Sequence, residues 1–267
     1  ENFALFARGF FEGSEVVTAS EFQHFVRSWL VKYPEVQVVE WAAKVLLSER
    51  EQWQQQQSAI WGKKVEISEK GGTQRDILLI NAGQRELYFP LVYLEPWQGN
   101  QQMFAFDIQT NTNNTQLLQQ VANSGKVALS APIKLAQLSH HPSASVLYVP
   151  VYHPQATAKT WQSVQGFVGL VLKHELLLSQ MHQQAVGKSY HIWVKDKATG
   201  QTLYGQEPSA STLKKVTDMG MYYRSYLNIG QREWLIDIWP AEKQLASYQS
   251  WLTWMVLIIS LLSTSLA

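Results

Sequence analysis

The sequence contains no cysteine. Disulfide staples, thiol catalysis and cysteine-based zinc sites are therefore excluded. The compartment stays open, because 267 residues are enough to fold around a core without staples. Charge is scarce as well: 16% of residues are charged and the net charge is +1, which offers no basic face to nucleic acid. There is no glycine-rich phosphate loop, no GxSxG and no HExxH, and no nucleophile stands at a readable spacing from a base. His140 and His141 are adjacent and would point apart in an extended strand. His174 and His182 lie too far apart along a helix to share one metal. No catalytic residue, metal site or cofactor is expected.

What is present is apolar and aromatic. Hydrophobic residues make up 46% of the chain, with 11 Trp, 11 Tyr and 10 Phe, enough to fill a core and to line a pocket for a small ligand. The longest uncharged run closes the chain: "WLTWMVLIISLLSTSLA", 251–267, has no Gly or Pro. As a helix it would reach about 25 Å, close to the thickness of a bilayer core. Trp251 and Trp254 stand at its start, where interfacial aromatics sit. The run is expected to begin a transmembrane helix, which would make this chain a fragment of a larger membrane protein. A buried C-terminal helix is the alternative.

Thr18 and Glu21 have capping-box spacing. Phe22, Phe25, Val26, Trp29 and Leu30 then fall on one helical face, and Pro34 ends the pattern. That aromatic face packs either a dimer or the domain's own core. Residues 36–45 read as a strand or an extended segment. Ser48 and Glu51 repeat the capping-box spacing and open a Gln-rich helix. From Lys63 the period becomes two, which predicts strands near 65–68, 87–93, 103–109, 127–130, 146–152 and 167–172, with helices at 115–123 and 175–184. Two hairpins are predicted further on, one around "ATG" at 198–200 and one around "NIGQ" at 228–231. The order predicts an α+β fold: a helical stalk over 1–62, a larger sheet unit over 63–185, a smaller one over 186–245, and a helix over 246–267 leading into the membrane.

One acid stands out. In "FAFDIQTNTNN", 104–114, an alternating strand puts Phe104, Phe106 and Ile108 on one face and Asp107 on the other, beside Met103 and Ala105. A carboxylate there either anchors a ligand at the floor of a pocket, where it accepts strong hydrogen bonds, or caps the following turn through its backbone amides. Both readings are open. Glu40 and Glu95 are isolated acids; Glu95 either lines a pocket or caps a turn.

Several segments in order carry a resemblance: "VVTASEFQHFV", "VQVVEWAAKVLLSER", "VYLEPWQGNQQMFAFDI", "GKVALSAPIKLAQ", "LYVPVY" and "GFVGLV". Together they resemble the CHASE domain, the extracytoplasmic sensor of many receptor histidine kinases and nucleotide or diguanylate cyclases. The departure is "EWAA", where many members carry Pro at the second residue after Trp. The resemblance implies a long N-terminal helix bearing two PAS-like antiparallel-sheet units, membrane-distal and membrane-proximal. It implies a ligand-sensing function at the periplasmic face of the inner membrane, with a kinase or cyclase output in the cytoplasm and a homodimeric receptor. The family's ligand-binding Asp and following backbone group fall on Asp107 and Leu129, and a hydroxyl position falls near Ser139. Tyr88, Tyr93, Met103 and Ala131 would supply the apolar wall. An acid at the floor favours a small molecule that donates hydrogen bonds or carries positive charge. A membrane-anchored module that binds a periplasmic protein without a small ligand is the alternative reading.

Overall fold

The computed structural model describes residues 2–71, 78–110, 112–134, 143–185, 189–243 and 245. The chain divides into two compact units, Glu1–Leu176 with Asn228–Arg232, and Leu177–Leu227 with Glu233–Ala267. The expected hydroxyl residue Ser139 and the apolar run 251–267 lie outside the described residues. Among those described, no helix is long and apolar enough to cross a membrane.

The larger unit opens with helices α1 (Asn2–Glu12) and α2 (Ala19–Lys32). The predicted capping box at Thr18 is present: Thr18 Oγ1 accepts from the Glu21 amide at 3.3 Å, and the Glu21 carboxylate accepts from the Thr18 amide at 2.8 Å. Two otherwise unpaired amides of the first turn are thereby satisfied. Next come strands β1 (Val36–Ala43) and β2 (Val45–Leu46), then helix α3 (Arg50–Trp61). Ser48 does not cap α3. A 3-10 turn over Leu47–Glu49 intervenes, and the Glu49 carboxylate takes the Leu46 amide instead. The hairpin β3 (Ser68–Gly71) and β4 (Leu78–Asn81), strands β5 (Leu87–Tyr88) and β6 (Leu91–Glu95), helix α4 (Thr112–Ser124), and strands β7 (Ala128–Leu129), β8 (Ile133–Lys134), β9 (Ser143–Tyr152) and β10 (Val164–Lys173) follow; helix α5 (His174–Ala185) starts in this unit, and from Leu177 on it belongs to the smaller one.

The central sheet runs β6-β1-β10-β9-β7, with β8 also on β9, and the pairings are antiparallel. The N-terminal stretch is therefore more than helical stalk: within 1–62, β1 occupies the inside of the sheet between β6 and β10. Apart from Gln37 and Glu40 its residues are hydrophobic, and most are buried, as a strand covered on both faces requires. On one face α1 packs with Phe3, Ala4, Ala7 and Phe11 buried, and Phe11 stacks on Trp41 at 4.0 Å between ring centroids. The other face carries the main core, with Val38, Ala42, Val146, Tyr148, Phe167 and Val171 from the strands under Phe89, Ile108, Leu118, Val121 and Ala122. Gly125, at φ 67°, ends α4 as predicted, its amide returning to the Val121 carbonyl at 2.9 Å.

The smaller unit is built on strands β11 (Tyr190–Asp196), β12 (Thr202–Tyr204), β13 (Tyr223–Ile229) and β14 (Arg232–Pro240), in the sheet order β12-β11-β14-β13, with helix α6 (Ala210–Asp218) between β12 and β13. Both predicted hairpins are there. Asp196 holds the first turn, accepting from the Thr199 amide and hydroxyl at 2.8 and 2.7 Å. Trp193, Val216, Leu235 and Trp239 form its core.

Candidate functional site

The predicted strand 103–109 is not a strand. Gln101–Met103 form a 3-10 turn, Ala105 takes φ 62°, and only single bridges follow, Phe106 with Ser68 and Asp107 with Pro90. A positive φ at a residue with a Cβ reverses the local direction of the chain. Alternation then no longer decides which way Asp107 points.

Asp107 is 0% exposed. Its Oδ1 accepts from the Phe89 amide at 2.9 Å and from the Gln109 amide, in its own turn, at 3.1 Å. Arg85 Nη1 lies 3.1 Å from Oδ2, an ion-pair distance, yet Oδ2 is engaged in no hydrogen bond. Arg85 is shared: it also pairs with Glu69 and donates to the Gln109 carbonyl at 3.1 Å. Burial pushes the Asp107 carboxyl above its ordinary range, and the charge of Glu69 adds to this. The two backbone amides and Arg85 pull the other way. Arg85 went unnoticed in the sequence, where nothing marks a charge sixteen residues and more from its partners.

A second buried acid occupies the inner face of the sheet. Glu40 is 7% exposed and, among the described residues, makes no hydrogen bond or ion pair. Burial raises its carboxyl to about 7. Register explains its place. Leu94, Glu40, Gly169, Tyr148 and Ala128 are paired across five adjacent strands, so they share one face. Gly169 makes the room: a Cβ there would stand 2.5 Å from Glu40 Oε1. The Glu40 side chain thus lies over β10 towards Tyr148. The Tyr148 phenol is pushed up by burial first, then by the charge of Glu40; a hydrogen bond with Asn114 opposes this, and Asp107 adds to it. The chemical result is a buried, acid-rich patch within an otherwise apolar core. Glu40 was legible by the reasoning applied to Asp107, since it too is a carboxylate inside a run of apolar strand residues.

The other predicted residues are divided. Met103 packs against the main core. Tyr88 is fully buried but belongs to a satellite cluster with Val45, Ile67 and Ala82, its hydroxyl held by Arg50, the Arg85 amide and the Gly83 carbonyl. Tyr93 pairs with Trp41 and so faces α1 and α2, opposite the Glu40 row; it packs on Phe22 and donates to the Val17 carbonyl at 2.9 Å. Leu129 pairs with Leu147 and directs its side chain to that same opposite face, and its amide donates to the Gly230 carbonyl at 2.8 Å. Ala131 is exposed, so it walls nothing. Alternation along β6 and β7 sets these outcomes: neighbouring residues of one strand look to opposite sides. Glu95 neither lines the patch nor caps a turn; it fastens α2 to β6 through Arg27 at 2.9 Å and Gln23 at 3.2 Å. His174 sits between the Ser143 and Ser145 hydroxyls at 2.7 and 3.0 Å, and His182 meets the Tyr204 hydroxyl at 3.0 Å. A polar groove of about 330 Å³ lies elsewhere, between Leu47, Arg50, Gln54 and Asn81, and includes neither acid.

A family model described as "CHASE domain" matches residues 15–204. No curated protein matches the chain. Among solved structures, the chain is similar to the ligand-binding domain of the Pseudomonas aeruginosa PAO1 amino acid chemoreceptor PctC in complex with GABA. The TM-score is 0.43 at 9% identity, over 90% of this chain and 89% of that one. The periplasmic sensory domain of the Campylobacter jejuni chemoreceptor Tlp1 gives 0.44 at 10% identity, over 85% and 80%. An extracellular ligand binding receptor from Desulfohalobium retbaense DSM5692 gives 0.39 at 13%, over 57% of this chain, which spans 28% of that receptor. Likeness at this level fixes neither ligand nor mechanism.

Proposed function

The chain belongs to the CHASE domain family, an extracytoplasmic sensory and non-catalytic domain, and from that premise we propose that it senses a small molecule in its larger unit. The observation that carries the reading is the buried Asp107 carboxylate. One oxygen is held by two backbone amides, while the other has an ion-pair neighbour and no hydrogen bond. A buried acceptor in that state costs free energy until something donates to it. A ligand that brings an N–H or a positive charge supplies the missing donor. Met103 would border it, and Leu129 and Ser139 remain the family-implied contacts. Ligand binding that differs between two arrangements of the domain then biases the segments leading to the membrane. In this reading the larger unit is membrane-distal and the smaller membrane-proximal, both PAS-like. Residues 246–267 anchor the chain in the inner membrane, the receptor is a homodimer, and the output is a histidine kinase or a diguanylate cyclase.

A thermal-shift screen of the chain against amines, amino acids, purines and organic acids tests this. A ligand that binds the folded chain raises its melting temperature by mass action. The shift is expected to vanish in Asp107→Ala and to shrink in Asp107→Asn, which keeps the Oδ1 acceptor. A full shift in both variants would remove Asp107 from the site. A second reading, a module that binds a periplasmic protein, is favoured by the exposed apolar side chains Leu5, Phe6 and Val31 on α1 and α2. Failure of every compound class to shift the chain would support it.

A further inference from the structure

Resting on the small-molecule reading above, we infer that Arg85 is the resident counter-ion of Asp107 that the ligand displaces, and that Glu69 holds the guanidinium once it has moved aside. What then stands at Asp107 Oδ2 is an N–H donor of the ligand, in the place the guanidinium leaves.

Asp107 is sealed in this structure. Side-chain exposure is 26% at Arg85, 19% at Glu69 and 0% at Asp107, so within the cluster solvent touches the outer pair and never the inner acid. A molecule that approaches Oδ2 from this side meets the guanidinium first. Among the described residues Arg85 is the cation at ion-pair distance from Asp107, with Nη1 3.1 Å from Oδ2. Oδ2 nevertheless makes no hydrogen bond. The hydrogen bonds of the guanidinium go elsewhere, to the Glu69 carboxylate through Nη2 and to the Gln109 carbonyl through Nη1 at 3.1 Å. Moving it off Asp107 therefore breaks no hydrogen bond to that acid. What is lost is Coulomb attraction, which an arriving N–H donor or cation replaces. The exchange leaves no charge bare: Glu69 stays with Arg85, and the ligand takes over Asp107. A buried charge stripped of its partner is the costly state, and neither acid passes into it. The surroundings of the moving group are fixed. Glu69 Oε1 accepts from the Gly83 amide at 3.3 Å, and the Arg85 amide donates to the Tyr88 hydroxyl at 3.0 Å. The guanidinium lies 5.6 Å from the centroid of the Tyr88 ring. The movement is confined to one long side chain, which changes rotamer between two acids held in place.

The test measures how readily Asp107 is reached. The full chain is treated at pH 6 with a water-soluble carbodiimide and glycinamide, and the rate of amide formation at each carboxyl is read by site-resolved mass spectrometry. Glu40, 7% exposed in the same unit, reports any general loosening. In Arg85→Ala, Asp107 is expected to be modified faster than in the parent chain by about tenfold or more, the least effect of removing the partner of a buried charge, while the rate at Glu40 stays as it was. In Glu69→Gln the guanidinium has lost the acid that receives it, and Asp107 is expected to be modified more slowly than in the parent. Equal rates at Asp107 in Arg85→Ala and the parent would overturn Arg85 as the cover. So would rates at Asp107 and Glu40 that rise together, because Arg85 would then only hold the fold. A rate in Glu69→Gln equal to or above that of the parent would overturn Glu69 as the resting place. None of these readings needs a ligand, so each can fail with the sensor reading intact. Failure of the thermal-shift screen would bring down both.

Discussion

Each unit buries acids, and it treats them differently. In the smaller unit Asp237 is 0% exposed and is met by Arg224 in a two-pronged pair, Nε to Oδ1 at 2.7 Å and Nη2 to Oδ2 at 2.8 Å. Asp196 in the same sheet accepts on Oδ1 from the amide and hydroxyl of Thr199 in its own turn. In the larger unit Glu40 has no partner among the described residues, and Asp107 is satisfied on one oxygen only. A fully paired buried carboxylate specifies a structure; an incompletely paired one is a standing cost. The contrast separates acids whose charge is fully met within the fold from acids whose charge is not.

The comparison breaks most sharply at Arg224. Arg224→Met leaves Asp237 buried and uncompensated, and is expected to destabilise the smaller unit by about 3–5 kcal/mol, read by denaturant unfolding followed on the Trp193 and Trp234 region. The same measurement on Glu40→Gln is expected to move the other way. Glu40 ionises at about 7 in the folded chain against an ordinary value of 4.5. The folded state therefore holds its proton through a range in which the unfolded chain has lost it. Stability from this group is highest below pH ~4.5 and falls as pH rises to about 7, by about 3 kcal/mol in all. Glu40→Gln should flatten that slope and melt higher than the parent at pH 8. A parent chain whose stability does not fall between pH 5 and 8 relative to Glu40→Gln would show that Glu40 is compensated after all.

Asp107→Ala removes the acceptor for the Phe89 and Gln109 amides and is expected to cost about 2 kcal/mol, with Asp107→Asn costing less than half of that. The smallest effect belongs to a site remote from both acids. Thr18→Ala breaks the capping box of α2 and should cost about 1 kcal/mol by chemical denaturation, without changing any ligand response.

Local signals in the chain were reliable where the structure is local. The capping box at Thr18 and Glu21, the end of α4 at Gly125, and the hairpins around "ATG" and "NIGQ" depend on residues within a few positions of each other. The motif order likewise led to the right family. Signals failed where a distant partner decides. Tyr93 and Leu129 turned to the far face because register with β1 and β9 fixes their direction.

The sequence by itself determined an α+β chain of the CHASE family with an acid of interest at Asp107. Only the tertiary structure decided that Val36–Ala43 lies inside the sheet, that Ala105 at φ 62° turns Asp107 back onto the Phe89 and Gln109 amides, and that Glu40 lies over Gly169 beside Tyr148. The physical reason is that periodicity reports which residues are apolar and at what spacing. Whether a buried charge finds a partner depends on strands and turns far away in the chain.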